Sequence, residues 1–247
     1  MRISIITCVL NNSNLIKESI KSFQTQIYKN KEHVIIDGGS IDGTLEVIKK
    51  FKNRNLILST SSDNGIYDAL NKGINLSSGD IVGILHSDDF YKDNKVLKTI
   101  AETFKKTDAD LVYGDLVYVN KKYPFKILRY WKAGKYFERK LFNGWMPPHP
   151  TVFIKRSVFN KIGKYKTNYQ ISSDYDFLVR VFRKKNIKKI YISKILVNMR
   201  MGGMSNNSIK NILKKSIEDF KIIKKNKIGG FLTLFNKNFS KISQFLH

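Results

Sequence analysis

This sequence contains little cysteine and no long apolar run. Among its 247 residues only Cys8 is a cysteine, which excludes an intrachain disulfide and fits a reducing compartment. No run of 18 apolar residues occurs, so we expect no membrane-spanning helix. No G-x-G-x-x-G follows the first apolar run, and no G-x-x-x-x-G-K-[ST] phosphate-binding loop is present. The first absence weighs against a dinucleotide-binding protein, and the second excludes a P-loop protein.

Acidic residues are scarce in the second half of the chain. Residues 1–110 contain 15 Lys and Arg against 14 Asp and Glu, whereas residues 111–247 contain 30 against 6. Nearly all of the net charge of +25 therefore belongs to the second half. Such an asymmetry indicates a nearly neutral first half and a second half that faces an anionic partner. Nucleic acid, anionic lipid and a phosphorylated substrate are all compatible with it.

Short apolar segments alternate with helical patterns in the first half. Strands are predicted at 2–9, 33–36, 55–60, 81–85 and 109–113, with a possible extension of the sheet at 116–120. Helices are predicted between them, beginning near residues 15, 44, 66 and 93. This alternation predicts an α/β fold, in which a mostly parallel sheet is flanked by helices on both faces.

Carboxylates follow three of the predicted strands. Asp37 ends the second strand, and Asp63 lies shortly beyond the third. Asp88 and Asp89 follow the strand at 81–85. Parallel strands place their carboxyl ends at one edge of the sheet, where ligands bind in open α/β folds. Two carboxylates there can hold a divalent cation that binds a diphosphate, although Asp is also a common helix N-cap.

Six ordered segments carry a resemblance to a known family. They are Ser4–Asn11, Asp37–Thr44, Gly65–Gly73, Ser87–Asp89, His149–Phe153 and Ser173–Asp176. Together they resemble the family 2 glycosyltransferases of the GT-A (Rossmann-like) fold, and Gly65–Gly73 resembles the subgroup that builds bacterial surface polysaccharides. The resemblance covers about residues 3–205. It implies transfer of a sugar from a nucleotide-diphosphate sugar, with uridine as the expected nucleoside.

The resemblance implies donor-binding roles for residues of the first half. Asp37 is expected to recognise the base, Asp88 to approach the ribose, and Asp89 to bind Mg²⁺ or Mn²⁺ on the diphosphate. The family commonly has Asp-x-Asp here, with an acidic residue where this chain has Ser87 or His86, so Asp89 is the main expected metal ligand. The other nucleotide-sugar-binding candidates are Thr7, Val9, Asn11, Asp63, Lys72 and Arg200.

The resemblance also implies a catalytic base in the second half. Asp174 is expected to take the proton from the acceptor hydroxyl in an inverting reaction, with Asp176 as the alternative. Ser173 stands where the family usually has Glu. Without the resemblance, Asp174 could simply be a negative charge at a helix N-terminus. Trp145 and His149, in a proline-rich turn, are expected near the donor sugar or the acceptor.

A basic extension follows the region of resemblance. We expect a transferase domain at 1–205, with a nucleotide-sugar half (1–115) and an acceptor half (116–205), and a helical extension at 206–247 with nine lysines and two acidic residues. Its first apolar stripe, 209–223, is expected to pack on the domain, and its second, 231–246, to meet a membrane or a partner. The expected acceptor is a lipid-linked glycan, reached from the cytoplasm by peripheral binding to the anionic inner face of the cell membrane.

Two alternatives stay open at this level. Basic residues interleaved with aromatic residues at 121–140 are also typical of single-stranded nucleic-acid binding. The carboxylates at the strand ends would repel a phosphate backbone, so we expect no nucleic-acid partner. The other alternative is a sugar-binding subunit that keeps the fold without turnover.

Overall fold

A computed structural model describes residues 1–202 and 209–239, which build one mixed β-sheet flanked by helices. The strands in that part of the chain are β1 (Ile3–Val9), β2 (Lys31–Asp37), β3 (Leu56–Thr60), β4 (Ile81–Ile84), β5 (Phe90–Tyr91), β6 (Leu111–Val119), β7 (Ile127–Trp131), β8 (Phe153–Lys155) and β9 (Lys189–Arg200). The helices are α1 (Ile16–Gln24), α2 (Thr44–Lys49), α3 (Ile66–Leu76), α4 (Val96–Thr107), α5 (Arg139–Phe142), α6 (Arg156–Ile162), α7 (Ser173–Arg183), α8 (Ile209–Lys225) and α9 (Phe231–Phe239).

The first half of the chain forms the parallel part of the sheet. The strand order there is β3-β2-β1-β4, and every neighbouring pair is parallel. β1 is buried along almost its whole length, because its apolar residues face helices on both sides of the sheet. Ile6 packs in the same cluster as residues of α3 and α7, whereas Ile3 and Ile5 pack in the cluster that contains residues of α1 and α4. The predicted sheet with helices on both faces is confirmed.

The second half of the sheet includes antiparallel pairs that the sequence pattern did not reveal. The short strand β8 lies antiparallel between β4 and β6, and β6 then pairs in parallel with β9. β5 and β7 add antiparallel pairs to β9 and β6. The two segments predicted at 109–113 and 116–120 are one continuous strand, β6. Because β6 runs in the same direction as β4, its carboxyl end lies at the same edge as that of β4.

The C-terminal helices pack on the domain differently from the predicted stripe. Ile222 and Ile223 of α8 are fully buried in the main core cluster. The expected packing of the stripe on the domain is confirmed at Ile223, but its members Ile212, Leu213 and Ile217 are exposed, so the expectation was wrong for those three. α8 therefore contacts the core through Ile223 and its neighbour Ile222, which the stripe did not include.

Helix α9 exposes much of its apolar surface. Phe231 and Leu232 are 74% and 71% exposed, and Phe235 and Phe239 are also exposed. The remaining apolar positions of the second predicted stripe, at 242–246, and the predicted boundary at 205 lie outside the described residues. In the part of the chain that the structure covers, no helix combines the length and apolarity needed to cross a membrane.

We expect Gly73→Ala to destabilise the protein. The added methyl group would overlap Cγ2 of Ile6 and lie 3.4 Å from Cγ1 of Ile36, and both are fully buried β-branched side chains. Overpacking of this kind costs about 1–3 kcal/mol. For a chain of this size, each kcal/mol lowers Tm by roughly 2–4 °C. Thermal unfolding followed by circular dichroism measures the shift.

Gly230→Ala is the control, because a Cβ at Gly230 meets no atom within 4 Å. Its Tm should stay close to that of the parent. If both variants have the same Tm as the parent, α3 does not pack against β1 as closely as described.

Candidate active site

The carboxyl ends of the parallel strands meet at one edge of the sheet, as predicted. Val9 at the end of β1 is in register with Asp37, and Asp37 is in register with Thr60 at the end of β3. β4 points to the same edge but ends three residues earlier, since its last residue, Ile84, pairs with Ile6 of β1. Asp37 ends β2, and the loops beyond β3 and β4 carry the other three predicted carboxylates. We call this region the carboxylate edge (Asp37, Asp63, Asp88 and Asp89).

The Asp37 carboxylate is buried but only half satisfied. Its Oδ2 accepts hydrogen bonds from the backbone N–H groups of Gly39 and Ser40, each at 3.0 Å. Its Oδ1 is buried and has no partner among the described residues. Asp63 lies against the same turn, because a Cβ at Gly38 would be 2.8 Å from its Oδ2. Asp37 therefore offers one acceptor atom in a turn that glycine keeps open.

Residues of β1 shape this edge in two ways. Asn11 is exposed, and its Oδ1 accepts the backbone N–H of Ile41 at 2.9 Å, which fastens the loop beyond β2. Thr7 and Val9 have buried side chains. The Thr7 hydroxyl donates to the carbonyl oxygen of Leu85 at 2.7 Å. The Thr7 and Val9 side chains thus support the edge from inside, whereas Asn11 is accessible at it.

Asp89, directly before β5, is fully buried, as is Asp37. Its Oδ1 accepts the backbone N–H of Arg200 at 3.1 Å, and its Oδ2 has no hydrogen-bond partner within residues 1–202 and 209–239. The Arg200 guanidinium, only 2% exposed, donates to the carbonyl oxygen of Asp88 and to the Glu18 carboxylate. It also lies 4.9 Å from the centre of the Phe90 ring. Arg200 therefore ties the end of β9 to the loop beyond β4.

Burial and the neighbouring Asp88 carboxylate raise the pKa of Asp89, against the opposing effect of Arg200. A cation at Oδ2 would oppose both raising effects. Three or more Asp, Glu, His or Cys side chains do not gather into a metal cluster anywhere in the described ranges. Mg²⁺ commonly uses only one or two carboxylates together with substrate phosphates. Asp89 and Asp88 fit a divalent cation whose coordination the substrate completes.

Asp174 is half-buried in the first turn of α7. Its Oδ1 accepts the backbone N–H of Tyr175 at 2.8 Å and lies 3.2 Å from the Tyr67 hydroxyl, which also donates to the carbonyl oxygen of Ile171 at 2.6 Å. Its Oδ2 accepts no hydrogen bond from any described residue. Asp176 differs, because it is fully buried and forms ion pairs with Arg180 at 2.7 Å and Lys166 at 3.1 Å. Of the two carboxylates, Asp174 has the oxygen that remains available.

Tyr118, near the end of β6, connects the two carboxylate regions. Burial raises the pKa of Tyr118, the Arg129 guanidinium opposes the shift, and both Asp89 and Asp174 add to it. The phenol is therefore within electrostatic range of both carboxylates. The guanidinium of Arg129 lies 4.7 Å from the centre of the Tyr118 ring. The charges of Asp89 and Asp174 thus act on the same phenol.

Two histidines lie beside Asp174. The rings of His86 and His149 have centroids 6.2 Å apart, and His149 Nε2 is 2.8 Å from the Tyr165 hydroxyl. Burial lowers the pKa of His149 to about 4, with Asp174 opposing the shift, so the ring is neutral near pH 7. Burial also lowers the pKa of His86, against the effects of Asp88 and Asp174. His149 therefore lies in the site region, although its polar contact is with a buried tyrosine.

Two further predicted residues already have protein partners. Lys72 donates to the carbonyl oxygen of Ser62 at 2.8 Å and pairs with Asp68 at 3.2 Å, close to the loop that holds Asp63. The Trp145 indole N–H donates to the carbonyl oxygen of Ala133 at 2.8 Å. Its ring packs against neighbouring aromatic rings, namely Tyr113, Tyr136 and Phe182.

The sequence pattern predicts no role for Tyr67, Tyr118, Glu18 or Glu218. Tyr67 lies within the Gly65–Gly73 segment, and Glu218 is one of two acidic residues among the nine lysines of 206–247. That isolation was the available signal for Glu218, since a lone acidic pair in a basic segment often has a specific cationic or N–H partner. Nothing in the local pattern pointed to Tyr118 or Glu18.

Comparison with known proteins gives a consistent result. A family model described as glycosyl transferase family 2 matches residues 4–189. A PGL/p-HBAD biosynthesis glycosyltransferase of Mycobacterium bovis is 29% identical over 218 residues, which cover 86% of this chain and 82% of the relative. An uncharacterized glycosyltransferase of Mycobacterium tuberculosis is 30% identical over 187 residues, which cover 72% of this chain and 68% of the relative.

Solved structures share the fold at low sequence identity. Residues 1–349 of S. aureus TarS superpose with a TM-score of 0.71 at 18% identity, covering 97% of this chain and 72% of that one. The mannosyltransferase PcManGT of Pyrobaculum calidifontis, solved in complex with GDP-Man and Mn²⁺, gives a TM-score of 0.68 at 15% identity, covering 96% and 69%.

The family match spans more than half of the chain and includes both the carboxylate edge and Asp174. The fold agrees with the GT-A-like arrangement predicted from the sequence. This protein therefore belongs to glycosyl transferase family 2 and is a glycosyltransferase.

Proposed function

We propose that the protein is an inverting glycosyltransferase that moves a sugar from a nucleotide-diphosphate sugar to a hydroxyl group of a lipid-linked glycan or polysaccharide precursor. The observation that carries this proposal is the arrangement around Tyr118. Asp89 Oδ2 is buried without a partner among the described residues, and both Asp89 and Asp174 raise the pKa of that phenol. The ring of His86, in the loop that carries Asp88 and Asp89, lies 6.2 Å from that of His149, and Asp174 affects the pKa of both histidines. These observations support one carboxylate that holds the diphosphate and another that accepts a proton from the same substrate pair.

The chemistry divides between the two carboxylate regions. The acceptor oxygen forms a bond to the anomeric carbon as the bond from that carbon to the diphosphate oxygen breaks, and Asp174 takes the hydroxyl proton. Attack from the face opposite the leaving group inverts the anomeric configuration. Mg²⁺ or Mn²⁺, when bound, neutralises charge on the departing diphosphate. Asp89 and Asp88 would hold that ion, while Arg200 fixes the loop that carries them.

The nucleotide is assigned to the other part of the carboxylate edge. The free Oδ1 of Asp37 suits an N–H donor of a base such as uracil. Asn11, Asp63 and Lys72 lie around the same loops. Structural neighbours solved with UDP-GlcNAc or UDP support a uridine nucleotide, and the neighbour solved with GDP-Man and Mn²⁺ supports a nucleotide sugar together with a metal.

The acceptor is assigned to a membrane surface. The strongly basic second half suits an anionic partner, and each lysine near an anionic leaflet contributes about 1 kcal/mol. Phe231 and Leu232 of α9 project apolar surface into solvent. The exposed Phe142 of α5 is adjacent, since the Thr233 hydroxyl donates to its carbonyl oxygen at 2.8 Å. A basic surface with exposed aromatic residues is typical of peripheral binding at the headgroup level, here at the inner face of the cell membrane.

We expect Asp89→Asn to remove metal-dependent binding of the nucleotide diphosphate. The amide replaces an oxygen that has no partner among the described residues with a group that is a poor ligand for Mg²⁺ or Mn²⁺. Isothermal titration of UDP with and without Mn²⁺ measures the effect. The parent should bind UDP more tightly with Mn²⁺, and the variant should bind equally with and without it.

Asp108→Asn is a matched control, because Asp108 lies before β6 at the opposite edge of the sheet and its side chain is 91% exposed. It should retain the full Mn²⁺ effect. If Mn²⁺ raised the UDP affinity of Asp89→Asn as much as that of the parent, Asp89 would not be the metal ligand.

We expect Asp174→Asn to lower turnover by roughly 10²–10⁴, the usual range for loss of a general base, with donor affinity nearly unchanged. The variant keeps the side-chain shape but cannot accept the hydroxyl proton. Release of nucleotide diphosphate in the presence of acceptor measures kcat, and the titration above measures donor affinity. A parent without any turnover under these conditions would favour the sugar-binding subunit that the sequence left open.

Asp176→Asn provides the internal comparison. We expect it to lower Tm, because Arg180 and Lys166 would lose a fully buried carboxylate partner. It should retain most of the turnover below its melting range. If Asp176→Asn abolishes turnover while Asp174→Asn keeps it, the base is Asp176.

We expect the Phe231→Ser/Leu232→Ser double variant to lose binding to anionic vesicles. It removes the two most exposed side chains of α9 without changing any charge. Co-sedimentation with vesicles of phosphatidylglycerol and phosphatidylcholine measures binding. The parent should bind these vesicles and dissociate from them in high salt, and it should not bind vesicles of pure phosphatidylcholine.

Phe125→Ser is the control, since Phe125 is 84% exposed in the turn between β6 and β7. It should bind like the parent. Unchanged binding of the double variant would show that α9 is not the membrane-facing helix.

A further inference from the structure

The C-terminal helix α8 contacts the loop that leads into the helix carrying Asp174. Glu218 of α8 is buried, and its carboxylate accepts three backbone N–H groups. The donors are Gln170, Ile171 and Ser172, each at 2.9 Å. Two carboxylate oxygens thus bind three successive donors, 46 to 48 residues away along the chain.

This contact fixes the turn that leads into α7. A side chain of the N-cap residue normally binds an N–H group of the first helical turn. Ser172 is the N-cap of α7, but its hydroxyl is buried without a partner in the described structure. Glu218 instead accepts the N–H groups of the turn that ends at Ser172, and a charged acceptor forms stronger hydrogen bonds than a neutral one. The turn that sets where α7 begins is therefore held by α8.

The same loop is held from its other side. The Tyr67 hydroxyl donates to the carbonyl oxygen of Ile171 at 2.6 Å and lies 3.2 Å from Oδ1 of Asp174. Ile171 is thus held by Glu218 at its N–H and by Tyr67 at its carbonyl oxygen. These contacts determine where the first turn of α7 begins, and with it where the Asp174 carboxylate lies.

The next residue of α8 makes a second contact with α7. Asp219 forms a buried ion pair with Lys237 of α9, and the Lys237 ammonium lies 3.9 Å from the centre of the Tyr175 ring. Tyr175 directly follows Asp174. Consecutive residues of α8 therefore support both sides of the predicted base.

We infer that Glu218 is a positioning residue for Asp174, so that the C-terminal helices are part of the catalytic apparatus. This inference rests on the proposed role of Asp174 as base. Without the Glu218 carboxylate, the turn at 170–172 loses its shared acceptor, and Asp174 shifts relative to the acceptor hydroxyl. A displacement of about 1 Å in a catalytic group can lower the rate by about 100-fold.

The test is Glu218→Gln in the full chain. The amide keeps the size of the side chain but replaces one acceptor oxygen with an NH₂ group that faces N–H donors. We expect kcat to fall by about 10- to 100-fold, while UDP affinity and its Mn²⁺ effect stay unchanged. Hydrogen exchange at the amides of 170–172 should become faster. Glu102→Gln is the same substitution at an exposed residue of α4, and it should leave both kcat and the exchange rate at 170–172 unchanged.

A double-mutant cycle with Asp174→Asn separates positioning from general damage. If Glu218 acts through Asp174, Glu218→Gln should not slow an enzyme that already lacks the base, because the effects of residues that act as a unit do not add. An equal slowing in both backgrounds would overturn the inference. So would unchanged exchange at 170–172, or a parental kcat in Glu218→Gln.

The cycle also distinguishes this inference from the proposed function. A parental kcat in Asp174→Asn would overturn the base assignment and the inference together. An impaired Asp174→Asn beside a fully active Glu218→Gln would overturn only the inference.

Discussion

The parallel register of β1 with β2 and β4 is the constraint on which the candidate site depends. It places the ends of β1 and β2 at one level and directs β4 to the same edge, so that Asp37 and the loop carrying Asp88 and Asp89 lie at one edge. The Thr7 hydroxyl reinforces the register, because it donates to the carbonyl oxygen of Leu85 beyond β4 and lies 2.9 Å from Nε2 of His33 in β2. A shift of one residue would turn every core side chain of β1 to the opposite face, so the hydrophobic core itself fixes the site.

Later parts of the chain complete this edge through buried polar contacts. Arg200 at the end of β9 binds the Asp89 carboxylate through its backbone and Glu18 of α1 through its side chain. Removing one partner of such a pair leaves a buried charge without compensation, which costs far more than the pair contributes. The contacts of Arg200 and Glu218 therefore determine one specific arrangement of the site more than they add to overall stability.

The C-terminal helices also bury charged side chains while they expose apolar ones. Asp219 and Lys237 are buried as an ion pair, whereas Phe231 and Leu232 remain exposed on α9. A helix that served only the core would have the opposite distribution, because burying apolar side chains is favourable and burying charges is costly. The Asp219–Lys237 pair fixes α9 against α8, the Lys237–Tyr175 contact joins it to α7, and the apolar side chains of α9 stay available for another surface.

Local sequence alone determined the parallel half of the fold and the chemistry of its edge. Contiguous residues specify the buried strands, the helices between them, and strand-end carboxylates such as Asp37 and Asp89. Hydrophobic periodicity therefore predicts these elements. Tertiary structure decided the insertion of antiparallel β8 and the exposure of Ile212, Leu213 and Ile217 on α8. It also decided that Asp176 is ion-paired whereas Asp174 has no ion pair among the described residues. These outcomes depend on contacts between distant segments, as between Glu218 and Ile171. A hydrophobic or charge pattern shows that a side chain needs a partner, but only the packed structure decides which partner it receives.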